Sequence, residues 1–223
     1  MRLQDWALVA FTIRMALVAT LVLIPPGLAV AWLLARSRIP GKPLLETLVT
    51  LPLVLPPVAT GLVLLELFGR RGALGIGLAR LGVDVVFTWR AVVVAMATMS
   101  LPLVVQAARA AFEGVEPRLE QVARTLGAGE WRVFFTVTLP LARRGVAAGA
   151  LLGFARAVGE FGATILVAGN IPGRTSTIAM AIWQRVQLGD DRAAMRLVGV
   201  ATVIAFAAVL GAGRLARGAR LPR

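Results

Sequence analysis

Five long apolar runs, separated by short polar segments, dominate the chain: 15–34, 47–65, 91–108, 145–169 and 197–213. A hydrocarbon core about 30 Å thick needs roughly 20 helical residues, fewer where flanking side chains snorkel, so each run is long enough to cross it. The fourth is interrupted by Arg156 and Glu160. An uncharged piece at 175–184 is too short to span and reads as a surface or partly inserted helix. The first run is too long for the apolar core of a cleaved signal peptide and reads as a first span. The pattern predicts an all-α integral membrane protein of about five transmembrane helices, forming one membrane domain over 1–223. Pro25, Pro26, Pro52, Pro56, Pro57 and Pro102 fall inside the runs. Each removes a backbone hydrogen bond and invites a kink, which serves either packing or a path between helices.

Composition agrees: 58% of the 223 residues are hydrophobic, and the mean hydropathy is +0.83, far above a soluble domain. Cysteine and histidine are absent. That excludes disulfides, thiolate nucleophiles, imidazole bases and the commonest transition-metal sites, so no catalytic residue and no metal centre is expected. The formal charge of +13 comes from 24 basic residues spread among apolar runs, which argues for membrane lipid and topology rather than nucleic acid.

Basic residues in short loops set orientation. With the N-terminus outside, the inner side carries Arg36, Arg38 and Lys42, then Arg118, Arg124, Arg132, Arg143 and Arg144, then Arg214, Arg217, Arg220 and Arg223. The outer side carries Arg70, Arg71, Arg80, Arg90, Arg174, Arg185, Arg192 and Arg196. The bias is modest and leaves the C-terminus cytoplasmic.

The longest polar interruption, about 115–140, lies between the third and fourth runs. Val115, Leu119, Val122 and Leu126 recur at helical spacing as an apolar stripe, with Glu116, Arg118, Glu120 and Arg124 elsewhere around the helix. Gly127 supplies a stop. Such a helix either rests on lipid headgroups or docks on a partner.

Gln121-Val122-Ala123, Gly127, Val137 and Leu139-Pro140 stand at the spacing of the Glu-Ala-Ala, Gly, Ile, Leu-Pro signature that they resemble, that of ABC importer permeases. Gln121, Val122 and Val137 replace Glu, Ala and Ile. Pro40-Gly41-Lys42, Leu51 to Pro57, Gly69-Arg70-Arg71-Gly72, Ala123 to Gly127, Gly159 to Thr164 and Gly169 to Thr175 look like the corresponding stretches of molybdate permease subunits, with sulfate permeases the nearest competitor.

The resemblance implies a type I, MetI-like importer permease. It moves an oxyanion, molybdate first and tungstate or sulfate as alternatives, by alternating access across the inner membrane. It implies a homodimer of this chain, two cytoplasmic ATPase subunits and an extracytoplasmic oxyanion-binding protein. ATP and magnesium would belong to the ATPase, and no cofactor to this chain. The segment around Glu120, Gln121, Ala123, Arg124, Gly127, Leu139 and Pro140 would then couple to the ATPase. Gln121 puts the family's glutamate salt bridge in doubt, and Glu120 is its candidate substitute.

In the fourth run Arg156 and Glu160, four apart, fall on one helical face and pair. Each buried charge costs about 2.5–3.5 kcal/mol on insertion scales, so they face the bundle interior, as a clip or as part of a gate with Gly159, Gly162 and Thr164. On the outer side Arg174, Thr175 and Thr177 are candidates to contact an anion or a binding protein. The glycine-dense stretch from Gly69 to Gly77 lacks the Gly-Lys-Ser/Thr ending of a phosphate loop. A stand-alone carrier or channel would carry ionisable residues in several spans and paired repeats, and neither is visible here.

Overall fold

The structure, a computed structural model, describes residues 3–36 and 40–217. Arg38, Arg220 and Arg223, used above for topology, lie outside the described residues. Among the described residues three helices are long and apolar enough to cross a membrane alone: α1 (Leu3–Arg36), α5 (Trp89–Glu113) and α11 (Asp191–Arg217). At 1.5 Å per residue the 34 residues of α1 reach about 50 Å, so it overshoots a bilayer core. It begins a full three turns before the apolar run at 15, and there Val9 is packed with Ile178, Ala181 and Leu197 in a small separate core.

The second and fourth spans are not single helices. α2 (Lys42–Val54) and α3 (Pro57–Phe68) meet at 114°, and the helix from Glu130 to Val158 meets α9 (Gly162–Ala168) at 64°. Pro52 sits within α2, and the break falls at Leu55 and Pro56. A residue before proline is pushed from the helical region to the extended one; Leu55 (ψ 144°) and Pro56 (ψ 131°) both obey. Pro57 then occupies the first turn of α3, where its missing N–H is harmless. Pro25, Pro26 and Pro102 leave α1 and α5 continuous.

Short helices complete the chain: α4 (Ala73–Arg80), α6 (Pro117–Thr125), α7 (Glu130–Val133) and α10 (Ile178–Gln187). From α7 the chain passes through a π-helical turn, Phe134–Thr138, into α8 (Leu139–Val158). There Leu139 N–H bonds Phe134 C=O, five residues back; the wider turn accommodates Pro140, whose ring would clash in a regular one. The short run at 175–184 is α10, capped by Thr177 and packed on α1 and α11 with Trp183 and Val186 exposed.

One core centres on α5, with Met96 and Met99 against Ala16 of α1, Ala157 of α8 and Ala163 of α9. A second gathers Leu34, Phe112, Val115 and Phe134 at the end holding α6. Arg36 and Lys42 lie at that end, Asp5 and Arg185 at the other.

Candidate functional site

The two breaks meet. A Cβ on Gly162 would stand 2.7 Å from Pro57 Cβ, and one on Gly61 would stand 2.8 Å from the Ala163 carbonyl oxygen. Glycine at both positions lets α3 and α9 touch backbone to backbone, so the interruption of the second span lies against that of the fourth. Gly61 and Leu55 escape sequence reasoning; the tandem Pro56-Pro57 was the available signal.

Arg156 and Glu160 frame the fourth-span break. Arg156 Nη1 donates to Glu160 Oε2 at 2.7 Å, so the expected pair forms, though the helix ends between its members. Glu160 is 1% exposed, and its Oε1 accepts from Ala163 N–H at 2.8 Å. The carboxylate therefore also caps α9, satisfying a free donor at the positive end of that helix. Gly159 is exposed, while Gly162 and Thr164 are buried. Among the described residues three buried hydroxyls, of Thr60, Ser100 and Thr164, have no hydrogen-bond partner. An unsatisfied buried donor costs about 1–3 kcal/mol.

At the opposite end of α8, three of the four residues of the predicted stripe face outward: Leu119, Val122 and Leu126 are exposed, Leu126 by 83%, whereas Val115 precedes α6 and is buried in the second core. Trp131 extends the ridge and stacks on Phe135. Gln121, Arg124 and Pro140 are exposed too, and Ala123 and Leu139 half-buried. Gly127 ends α6 at φ +84°; its N–H bonds Arg124 C=O, and Ala128 N–H bonds Ala123 C=O. This is a Schellman closure that favours glycine. Arg124 bonds Glu130 through Nε at 2.7 Å and Nη2 at 3.0 Å, which raises its pKa above the usual guanidinium range.

Glu120 corrects the sequence expectation. As a substitute for the family glutamate it would face a partner; instead it is 3% exposed and turned into the bundle, bonded to Arg36 and Thr138. One residue of helix is a 100° rotation, enough to send Gln121 out and Glu120 in.

The outer candidates also divide. Arg174 is exposed. Thr175 is buried, its hydroxyl donating to Gly169 C=O and accepting from Ile171 N–H. Thr177 is buried as the cap of α10, accepting from Met180 N–H. Both hydroxyls are spent on local structure, so neither is presented to an anion. A cavity of about 670 Å³ opens nearby on Glu66, Arg70, Arg71, Asp84 and Thr88, and in it Arg70 pairs with Asp84 at 3.2 Å.

Comparison with known proteins fits this geometry. The family described as "Binding-protein-dependent transport system inner membrane component" matches residues 27–215. The chain is 47% identical to the molybdenum transport system permease protein ModB of Escherichia coli (strain K12) over 215 residues, covering 96% of this chain and 94% of that protein. It is 46% identical to ModB of Haemophilus influenzae over 84% of this chain and 82% of that one. It is 41% identical to the sulfate transport system permease protein CysT of Escherichia coli (strain K12), over 82% of this chain and 65% of that one. Among solved structures the MetNI methionine ABC transporter, in inward-facing conformations, shares the fold with a TM-score of 0.74 at 18% identity, covering 99% of this chain and 100% of that one. The family match over residues 27–215, the permease relatives over 96% of the chain and the shared fold converge: the chain belongs to the binding-protein-dependent transport system inner membrane component family, as a membrane permease subunit of an ABC importer.

Proposed function

We propose that this permease imports molybdate, working as a homodimer with two cytoplasmic ATPase subunits and an extracytoplasmic oxyanion-binding protein. The observation that carries the coupling is the ridge of Leu119, Val122, Leu126 and Trp131, apolar yet exposed at the end holding Arg36 and Lys42. Burying such a ridge in a partner's groove removes apolar area from water at about 25 cal/mol per Å². The segment 115–140 is then the coupling element of one membrane domain. The N-terminus is outside and the C-terminus cytoplasmic, as the loop charges favour. ATP and magnesium bind the ATPase. Its closure pushes on α6, and the push reaches the paired breaks, where Arg156, Gly159, Glu160, Gly162 and Thr164 form the gate.

Molybdate is supported by the similarity to the ModB molybdenum transport permeases. Sulfate is the second reading, favoured by the 41% identity to CysT. In proteoliposomes holding this chain and its ATPase, binding protein loaded with molybdate is expected to stimulate ATP hydrolysis, and the sulfate-loaded form is not. Stimulation by sulfate alone overturns the substrate, and failure to associate with any ATPase overturns the coupling.

A further inference from the structure

α6 is joined to the rest of the bundle in an unusual way. Its one buried side chain is a charged one, Glu120. Three donors converge on a single oxygen of that carboxylate: Arg36 Nη2 at 2.9 Å, Arg36 Nε at 3.1 Å and Thr138 Oγ1 at 2.8 Å. Its other oxygen lies 3.8 Å from Arg124 of the same helix.

Arg36 is itself engaged beyond the ion pair. Its Nη2 also donates to the carbonyl oxygens of Phe112 at 2.9 Å and Val115 at 3.1 Å. These belong to the last turn of α5 and the residues just beyond it, where a helix leaves its carbonyls unpaired and carries partial negative charge. One guanidinium at the end of α1 therefore closes the end of α5 and grips α6, while Thr138 ties the same carboxylate to the start of α8. A buried ion pair is weak evidence for stability, since desolvation offsets most of its attraction. What it does supply is direction: a planar fork engages its partners in one geometry only.

α8 is the consequence of interest. It begins beside Thr138 and ends at Val158, next to Arg156 and the break at Gly159, so a displacement at its first turn is delivered about 30 Å away. We propose that Glu120 and Arg36, with Thr138, are positioning residues that make α6 move as one piece with the adjoining ends of α1, α5 and α8, converting force on α6 into motion at the gate. The proposal rests on the reading of α6 as the ATPase contact. It assigns Glu120 an inward task and leaves ATPase contact to the exposed ridge.

The test uses the complete transporter in proteoliposomes, with Glu120→Gln, Arg36→Lys and Thr138→Val. Three quantities are read: co-purification of the ATPase, ATP hydrolysed, and anion imported per ATP. All three variants are expected to retain the ATPase at the wild-type ratio. Import per ATP falls about tenfold for Glu120→Gln and Arg36→Lys, and about threefold for Thr138→Val, which loses one hydrogen bond at nearly constant volume. A wild-type ratio of import to hydrolysis in the variants, or import and hydrolysis falling in step, overturns the proposal and leaves a plain brace. Should the charged variants fail to reach the membrane, Thr138→Val decides alone, and a wild-type ratio there overturns the proposal. If the wild-type chain itself neither binds nor stimulates the ATPase, the failure lies with the reading of α6 instead.

Discussion

Removing one charge of the Arg156–Glu160 pair is expected to harm the protein more than removing both. At about 4 Å between charge centres and an effective dielectric of 20, their attraction is about 4 kcal/mol. Placing the two charges in a span costs about 2.5–3.5 kcal/mol each, so the attraction recovers most of the cost of burial and the pair adds no net stability. A lone survivor has no such offset. Arg156→Met strands a carboxylate that is 1% exposed, and Glu160→Gln strands Arg156 while keeping an oxygen to cap Ala163. Each is expected to cost about 3 kcal/mol, a fall in melting temperature of roughly 6–12 °C by the scaling for soluble chains of this size. The double variant is expected to be as stable as wild type or up to about 3 kcal/mol more stable. Thermal unfolding in lipid-supplemented detergent, followed by tryptophan fluorescence, reads this well because Trp183 packs on Phe161 at the break. Losses that simply add, with the double variant worst, would refute the pairing argument.

Gly127→Val is expected to abolish anion uptake with membrane insertion intact, because a β-branched residue at φ +84° strains the closure of α6 by about 1–3 kcal/mol; unchanged uptake counts against the placement of the coupling helix. Gly162→Val, which drives side-chain atoms into Pro57 from a Cβ position already only 2.7 Å away, is expected to cost about 1–3 kcal/mol and to stop transport, both read by melting and by uptake on the same preparation. Thr177→Ala removes the α10 cap, with an expected loss of about 1 kcal/mol and anion selectivity unchanged; altered selectivity would restore a substrate role to that hydroxyl.

The number and order of spans were legible because lipid demands runs of apolar residues of a set length, and that demand is local. The short helix α6 was legible for a similar reason: Leu119, Val122 and Leu126 recur every three to four residues and Gly127 marks its end, although Val115, counted in the same stripe, falls before the helix and is buried. The break at Leu55 was half-legible, since Pro56-Pro57 disfavours a helical residue before it, yet Pro25-Pro26 leaves α1 unbroken, so the prolines alone do not say whether or how far the chain turns. What the sequence withheld depends on distant partners. Arg36 and Glu120 are 84 residues apart, and nothing near either announces the other; Arg36 looked like a topology charge. Thr175 and Thr177 looked like anion ligands because hydroxyl groups carry no sign of whether the backbone has already claimed them.

Leu119, Val122, Leu126 and Trp131 also bear on a copy that has nothing docked on α6. Large exposed apolar patches invite aggregation, so on the proposed coupling role the detergent-solubilised chain is expected to aggregate more readily alone than together with its ATPase.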